Sequence, residues 1–273
     1  MTQTPDDHDF KIGPYRVLRH IAQGGMGAVY EVEDSVRSGR YALKLAAQST
    51  RESSKLFDLH RALSSIPHPG IITSHAIGTT EDGRSFQLLD LIDGQPAQVF
   101  AKSMGAPGSA PRTTAVITLA IHLSEALAHL HKHDIVHRDI KSANVMVRAD
   151  QSACLIDFDS AILPDQPVRL GRFIGTYSYA APEQIRGEAV DGRADIYAMG
   201  VLLYRMLCGR RPFEAETTEA LIDQQLYTRP RLLDLNVSDI PPRVVDLTMS
   251  MLEKEAEHRP QSAAEVASAL RHA

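Results

Sequence analysis

Polar and apolar positions change rhythm about one third of the way along the chain. The opening residues, MTQTPDDHDF, are polar and show no apolar period, which predicts an unstructured tail. Tyr15 to Ile21 reads as a strand, a glycine cluster follows at Gly24, Gly25 and Gly27, and Ala28 to Val32 is apolar again. That is the strand–turn–strand order of a hairpin. Arg40 to Ala46 reads as a third strand, with Ile71 to Ile77 and Phe86 to Ile92 as two more. Between them Leu56, Leu59, Leu63 and Ile66 recur at helical spacing. They predict a helix over Ser49 to Ser65, capped by Ser49 or Thr50.

The stretch Ser103 to Pro111 (SMGAPGSAP) is rich in glycine and proline and predicts a loop. Beyond it the helical period dominates. Val116, Leu119, Ala120, Leu123, Leu127 and Leu130 share one face of a helix predicted over Thr113 to Lys132. Short strands flank Asp150, and further helices are predicted at Asp191 to Cys208, Thr217 to Tyr227, Pro241 to Leu252 and Ser262 to Arg271. A sheet-rich part followed by a helical part is the α+β class, and a ligand cleft is expected where two such parts join. No internal repeat or low-complexity segment breaks the pattern.

Composition adds limits. The net charge is −5, from 29 basic and 34 acidic residues, so no nucleic-acid partner is expected. Cys154 and Cys208 each lie in an apolar run with no metal-ligand spacing, as expected of small buried side chains in a reducing cytoplasm. The N-terminus has no basic and apolar regions of a signal peptide. No apolar run approaches the ~18–20 residues of a membrane span. A cytoplasmic protein with no membrane partner is the expectation. His8, His20, His60 and His68 are expected to be structural or solvated rather than metal ligands. Dimerisation is left open.

A glycine-rich hairpin lets backbone N–H groups approach phosphate oxygens, because no Cβ blocks the way. Alone, the cluster is as well read as a plain turn. Lys44, in the run Tyr41-Ala42-Leu43-Lys44, is by itself a solvated strand end; after such a hairpin it becomes a candidate phosphate ligand. The segment His137-Arg138-Asp139-Ile140-Lys141-Ser142-Ala143-Asn144 is more specific. A turn so dense in polar side chains between apolar segments is hard to explain as packing. Phosphoryl transfer needs a carboxylate to orient the attacking hydroxyl, oxygen ligands for Mg²⁺, and cations to spread the transferred charge. Asp139, Asn144 and Lys141 supply one of each. Thirteen residues after Asn144, the run Leu155-Ile156-Asp157-Phe158 places a second carboxylate at a strand end, where Asp157 can join Asn144 on the metal.

These segments resemble the eukaryotic-type protein-kinase family, especially its bacterial serine/threonine branch. The match runs from about Tyr15 to Leu270, with IAQGGMGAVY, YALK, HRDIKSAN, DFD, GTYSYAAPEQ, DIYAMGVLLYRMLCGRRPF and HRP in family order. The resemblance implies a two-lobed fold, with a small β-rich N-lobe at about 13–93 and a larger helical C-lobe at about 94–271, after a tail of residues 1–12. It implies a serine/threonine protein kinase that transfers the γ-phosphoryl of ATP, with Mg²⁺, to protein substrates. Ile21, Ala22, Gly24, Gly25, Met26, Gly27 and Val29 would cover the nucleotide, and Lys44 would bind its α/β-phosphates. Leu89 would be the gatekeeper, and Asp90 to Ile92 the hinge that reads adenine, with Val29, Ala42 and Met146 around the ring. Asp139 would be the catalytic base and Asn144 and Asp157 the metal ligands. Lys141 and Thr176 resemble the serine/threonine subtype. Glu183 would pair with Arg259, and Asp195 would anchor the catalytic loop.

The chain departs from the family pattern in four places. Ala22 replaces the first glycine of the phosphate loop, and Asp159 replaces the glycine of the DFG motif. Leu59 stands where the family has the glutamate partner of Lys44. Asp58 lies about 100° around the helix and Glu52 nearly two turns earlier. Between Asp159 and Gly175 the only hydroxyl residue is Ser160, so activation by phosphorylation in mid-loop is not expected. Two other readings stand beside the active kinase. One is a pseudokinase or nucleotide-binding scaffold, favoured by Leu59 and Asp159. The other is a small-molecule kinase on a related fold, opposed by the segment from Thr176 to Glu183.

Overall fold

Leu43 and Leu45 alternate with Ala42 and Lys44, and in an extended strand that alternation gives the two sets opposite faces. The computed structural model describes residues 10–25, 27–36, 38–49, 53–164, 171, 173–231 and 239–273. It divides into two units, one of Met1–Pro67 with Ile72–Asp93, the other of His68–Ile71 with Gly94–Ala273.

The first unit is an antiparallel sheet built from β1 (Lys11–Ile12), β2 (Tyr15–Gly24), β3 (Gly27–Asp34), β4 (Gly39–Ser49), β5 (Ser74–Thr79) and β6 (Arg84–Asp90), with one helix, α1 (Ser53–Ser65). The strand order is β1-β2-β3-β4-β6-β5. One face carries the core of Ile12, Tyr15, Val32, Leu43, Leu45, Phe86 and Leu88, with the rings of Tyr15 and Phe86 edge to face at 5.8 Å. Helix α1 packs on β5 and β6.

Three expectations change here. Residues 11 and 12 do not belong to the expected tail of residues 1–12, because Lys11–Ile12 pair with Arg16 and Tyr15 and Ile12 enters the core. Residues 1–9 lie outside the described residues. Ser49 closes β4 instead of opening α1, and Thr50, the other expected cap, lies outside the described residues. Strand β5 begins at Ser74 rather than Ile71; Ile71 instead bridges Leu155 in the second unit.

The second unit is mainly helical. Its elements are β7 (Gly94–Pro96), α2 (Ala97–Ser103), α3 (Ala110–Lys132), β8 (Val145–Arg148), β9 (Ala153–Leu155), α4 (Pro182–Arg186), α5 (Gly192–Cys208), α6 (Thr218–Tyr227), α7 (Pro242–Met251) and α8 (Ala263–Arg271). The apolar stripe of α3 is buried as its period predicts, against α5 and α8. Helix α3 also corrects the membrane-span reading: over 23 residues it is long and apolar enough to cross a bilayer by length and composition alone. In the fold its Val116, Leu119, Leu123, Leu127 and Leu130 are buried core residues. Helix α5 is buried on all sides from Ala194 to Tyr204, which places Asp195 in the interior. Its start is capped by Asp191, which accepts the Arg193 amide at 2.9 Å, and its end by Gly209 in the left-handed region. Elements β7, α2 and α4 were not foreseen; each is too short to carry a readable period.

Candidate active site

Strand register sorts the nucleotide candidates of the first unit. Directly paired residues share a face of an antiparallel sheet. Ala22 pairs with Val29, Val29 with Lys44, Lys44 with Gln87, and Ala42 with Leu89. All six therefore lie on the face opposite the core. Gly24 closes β2, paired with Gly27, and Gly25 enters the hairpin turn; at both a Cβ would meet no atom within 4 Å. Gly27 has φ +148, and a Cβ there would stand 2.0 Å from the Leu45 carbonyl oxygen; that close approach admits only glycine. Ile21 is partly exposed on β2. Met26 lies outside the described residues. Asp90 ends β6, and its carboxylate accepts the Thr73 amide at 3.2 Å and His75 Nε2 at 2.7 Å. Burial pushes that carboxyl up, but these bonds outweigh it and hold it below the ordinary range. Ile92 follows β6, half-buried.

Sequence reasoning missed a polar group beside Lys44. Gln87 Nε2 donates to Ser74 Oγ at 2.9 Å, and Ser74 Oγ also meets His60 Nδ1 of α1 at 2.7 Å. Ser74 and Gln87 are both buried. Leu59 is buried with 4% exposure, and Asp58 approaches Arg61 at 3.5 Å. Glu52 lies outside the described residues.

The second unit assembles the polar turn into one cluster. Asp139 Oδ2 accepts Lys141 Nζ at 2.6 Å and Asn144 Nδ2 at 3.0 Å. Asp139 Oδ1 accepts Thr176 Oγ1 at 2.8 Å. Lys141 Nζ also donates to Thr176 Oγ1 at 3.2 Å. Asn144 Nδ2 bonds the Asp139 carbonyl as well, at 2.9 Å. Two bonds through nitrogen settle the amide orientation, so the Asn144 oxygen points the other way. The Ile156 amide donates to the Asn144 carbonyl at 2.9 Å, which brings Asp157 alongside Asn144. Asp157 and Arg138 both have φ of 63, a left-handed geometry that non-glycine residues adopt at a cost of about 1–3 kcal/mol where surrounding contacts hold it. Met146 sits half-buried on β8, paired with Pro96 and Cys154.

Asp195 supplies much of that hold. It is fully buried, and it accepts the His137 amide at 2.9 Å, the Arg138 amide at 2.8 Å and His131 Nε2 at 2.9 Å. Burial raises its carboxyl, yet the His131 bond and the amide bond from His137 outweigh this and keep it below the usual range. His137 accepts the Asp139 amide on Nδ1 at 3.3 Å and donates Nε2–H to the Ile156 carbonyl at 3.2 Å, with Phe158 packed on its ring at 4.6 Å. Glu183 and Arg259 pair through two bonds of 2.7 and 2.8 Å. His131 and Gln184, whose Nε2 donates to the Arg138 carbonyl at 3.0 Å, escaped sequence reasoning because their partners lie far along the chain.

A carboxylate held between a lysine, an amide and a threonine hydroxyl, in a loop strapped to a buried aspartate, defines the class as a protein-kinase catalytic loop. Residues 15–272 match the model of the protein kinase domain. The chain belongs to that family. It is 35% identical over 262 residues to the DNA damage-responsive serine/threonine-protein kinase RqkA of Deinococcus radiodurans, covering 93% of this chain and 39% of RqkA. It is 33% identical over 272 residues to serine/threonine-protein kinase pkn2 of Myxococcus xanthus, covering 94% and 32%. It is 31% identical over 270 residues to serine/threonine-protein kinase PknD of Mycobacterium tuberculosis, covering 96% and 40%. The chain thus spans about a third to two-fifths of the length of these relatives.

Proposed function

We propose that this chain is a serine/threonine protein kinase domain that transfers the γ-phosphoryl of ATP to Ser/Thr hydroxyls of protein substrates. The observation that carries the reading is the Asp139–Lys141–Asn144–Thr176 cluster. The three kinases it resembles all act on serine and threonine by name. Cytoplasmic work on protein partners is part of the same proposal.

The residues fit the nucleotide and its metal. The open space over Gly24 and Gly25 is where a phosphate would lie against backbone N–H groups. Asn144 offers a carbonyl oxygen and Asp157 a carboxylate, the hard oxygen donors that Mg²⁺ takes alongside phosphate and water. When bound, Mg²⁺ neutralises charge developing on the phosphates. Asp139, with Oδ1 already turned to a threonine hydroxyl, orients an acceptor hydroxyl and takes its proton. Lys141 bridges that carboxylate and hydroxyl, and its charge offsets the negative charge of the transferring group. Lys44 would hold the α/β-phosphates. Ile21, Ala22 and Val29 would cover the nucleotide and Val29, Ala42 and Met146 would lie around its base, with Asp90 and Ile92 at the hinge. Asp159 then tunes the site, and Leu59, where the family has a glutamate, is the larger departure.

The test is transfer from labelled ATP to a generic protein acceptor. Asp139→Asn should lower kcat by about 10²–10⁴-fold with little change in KM for ATP, and chelation of Mg²⁺ should abolish transfer. Equal signals from wild type and variant would favour the scaffold reading. Transfer to sugars but not to protein would favour a small-molecule kinase.

A further inference from the structure

Leu59 stands where the family has a glutamate, and its buried side chain has no polar atom, so α1 supplies no acceptor at that position. The neighbouring strand does. Strand β6 lies between β4 and β5. Gln87 of β6 is the direct cross-strand neighbour of Lys44 on β4, and such paired residues stand about 4.5–5.5 Å apart at Cβ on one face. Leu89, two residues on and so on the same face, pairs with Ser74 of β5. Gln87 thus has Lys44 on one side and Ser74 on the other. The Gln87 amide is committed to one of them: its Nε2 donates to Ser74 Oγ at 2.9 Å. Ser74 is itself fixed by α1, where His60 Nδ1 meets its hydroxyl at 2.7 Å and Ser64 Oγ donates to its carbonyl at 3.1 Å. The nitrogen and oxygen of an amide diverge from one planar carbon. With the nitrogen drawn toward β5, the oxygen is turned toward β4, the side of Lys44.

We propose that Gln87 is a positioning residue for Lys44: its amide oxygen receives the lysine ammonium where the family uses a helix glutamate, and Ser74 and His60 hold the amide in that orientation. This rests on the kinase reading above, in which Lys44 binds the α/β-phosphates. An ammonium on a neutral oxygen still makes a charge-assisted hydrogen bond. It has three donors, so the others remain for phosphate oxygens, and its charge is not offset by a carboxylate. The hold on Lys44 then lies within the sheet, and a tilt of α1 reaches it only through His60 and Ser74.

The test uses the full chain and a non-hydrolysable ATP analogue with Mg²⁺, read as Kd. Gln87→Leu should weaken binding about 10-fold. The same change in a Lys44→Met background should add less than about twofold, because the two residues act as one unit. Gln87→Glu, which restores a carboxylate beside the lysine, should bind within about threefold of wild type. Ser74→Ala keeps the amide but removes its anchor and should cost about threefold, which decides the matter if Gln87→Leu does not fold. Wild-type affinity in both Gln87→Leu and Ser74→Ala, or equal losses with and without Lys44, overturns the proposal. A second readout needs no nucleotide. With lysine labelled at Nζ, the NMR signal that Lys44→Met removes should move in Gln87→Leu and in Ser74→Ala; a signal that stays in place in both overturns the proposal as well. Neither readout needs phosphoryl transfer, so a protein that meets both expectations yet fails to phosphorylate supports this role for Gln87 and counts against the kinase reading alone.

Discussion

Individual residues in this protein are strained or buried where a loop must be held in one shape. Arg138 and Asp157, the latter itself a metal candidate, adopt left-handed backbone angles, and the bonds that Asp195 accepts from the amides of residues 137 and 138 hold the first of them there. The Glu183–Arg259 pair works in the same way further out. The Arg259 side chain is fully buried, and it also donates to the carbonyls of Glu253, Lys254 and Arg193. Removing the carboxylate leaves a buried guanidinium without its counter-charge, so Glu183→Ala should cost about 3–5 kcal/mol. Urea denaturation would measure it as a drop in midpoint at constant slope. A loss under about 1 kcal/mol would mean that solvent reaches Arg259 far more than its burial indicates.

Among the elements, α3 does more than fill the core. Its last turn carries His129 and His133 caps its end; His129 stacks on His68 at 4.9 Å while lying 4.7 Å from His133. His68 opens the segment His68–Ile71, which belongs to the second unit and is fixed there by the Leu155 amide on the Gly70 carbonyl at 2.8 Å. Arg148 adds a bond to the Pro69 carbonyl at 3.1 Å. Burial, then the neighbouring His129, push the His68 imidazole below its ordinary value, against the opposing pull of Glu125. With the folded value lower than the unfolded one, the folded state binds fewer protons just below pH 6.5. Stability should therefore fall as pH drops through that window and level off once His68 is protonated in both states. His68→Asn, which keeps an acceptor for the Gly70 amide, should show a shallower fall in Tm between pH 7 and pH 5.5. Parallel pH profiles for the two proteins would rule out His68 as the source.

At the scale of the molecule, two units share one chain that leaves the first at His68, rejoins it at Ile72 and leaves it finally at Gly94. A ligand that binds only the folded state raises its stability by mass action, about 2.7 kcal/mol at a hundred times Kd. A non-hydrolysable ATP analogue should accordingly raise Tm, and further with Mg²⁺ than with chelator. Asp157→Asn should remove the Mg²⁺-dependent part and keep the rest, whereas Lys44→Met should weaken the shift in both conditions. Thermal melts would read this directly. A shift insensitive to Mg²⁺ in the wild type would remove Asn144 and Asp157 as metal ligands.

Much of the site is legible in the sequence itself, because its chemistry is packed into short runs. Eight consecutive residues hold Asp139, Lys141 and Asn144, and a turn that brings them together needs only local geometry. The hairpin glycines, the stripe of α3 and the caps of α5, α6 and α8 are likewise local. What tertiary structure alone decided involves partners far apart in sequence. The first amide of α3 finds its acceptor in Asp239, 129 residues on. Thr176 reaches Asp139 across 37 residues, and His131 reaches Asp195 across 64. The Ser74–Gln87–His60 group beside Lys44 exists only because three elements meet there. A period or a turn signal reports the shape of neighbouring backbone. It holds no record of which distant polar groups burial will force to pair, and that is decided when the chain closes on itself.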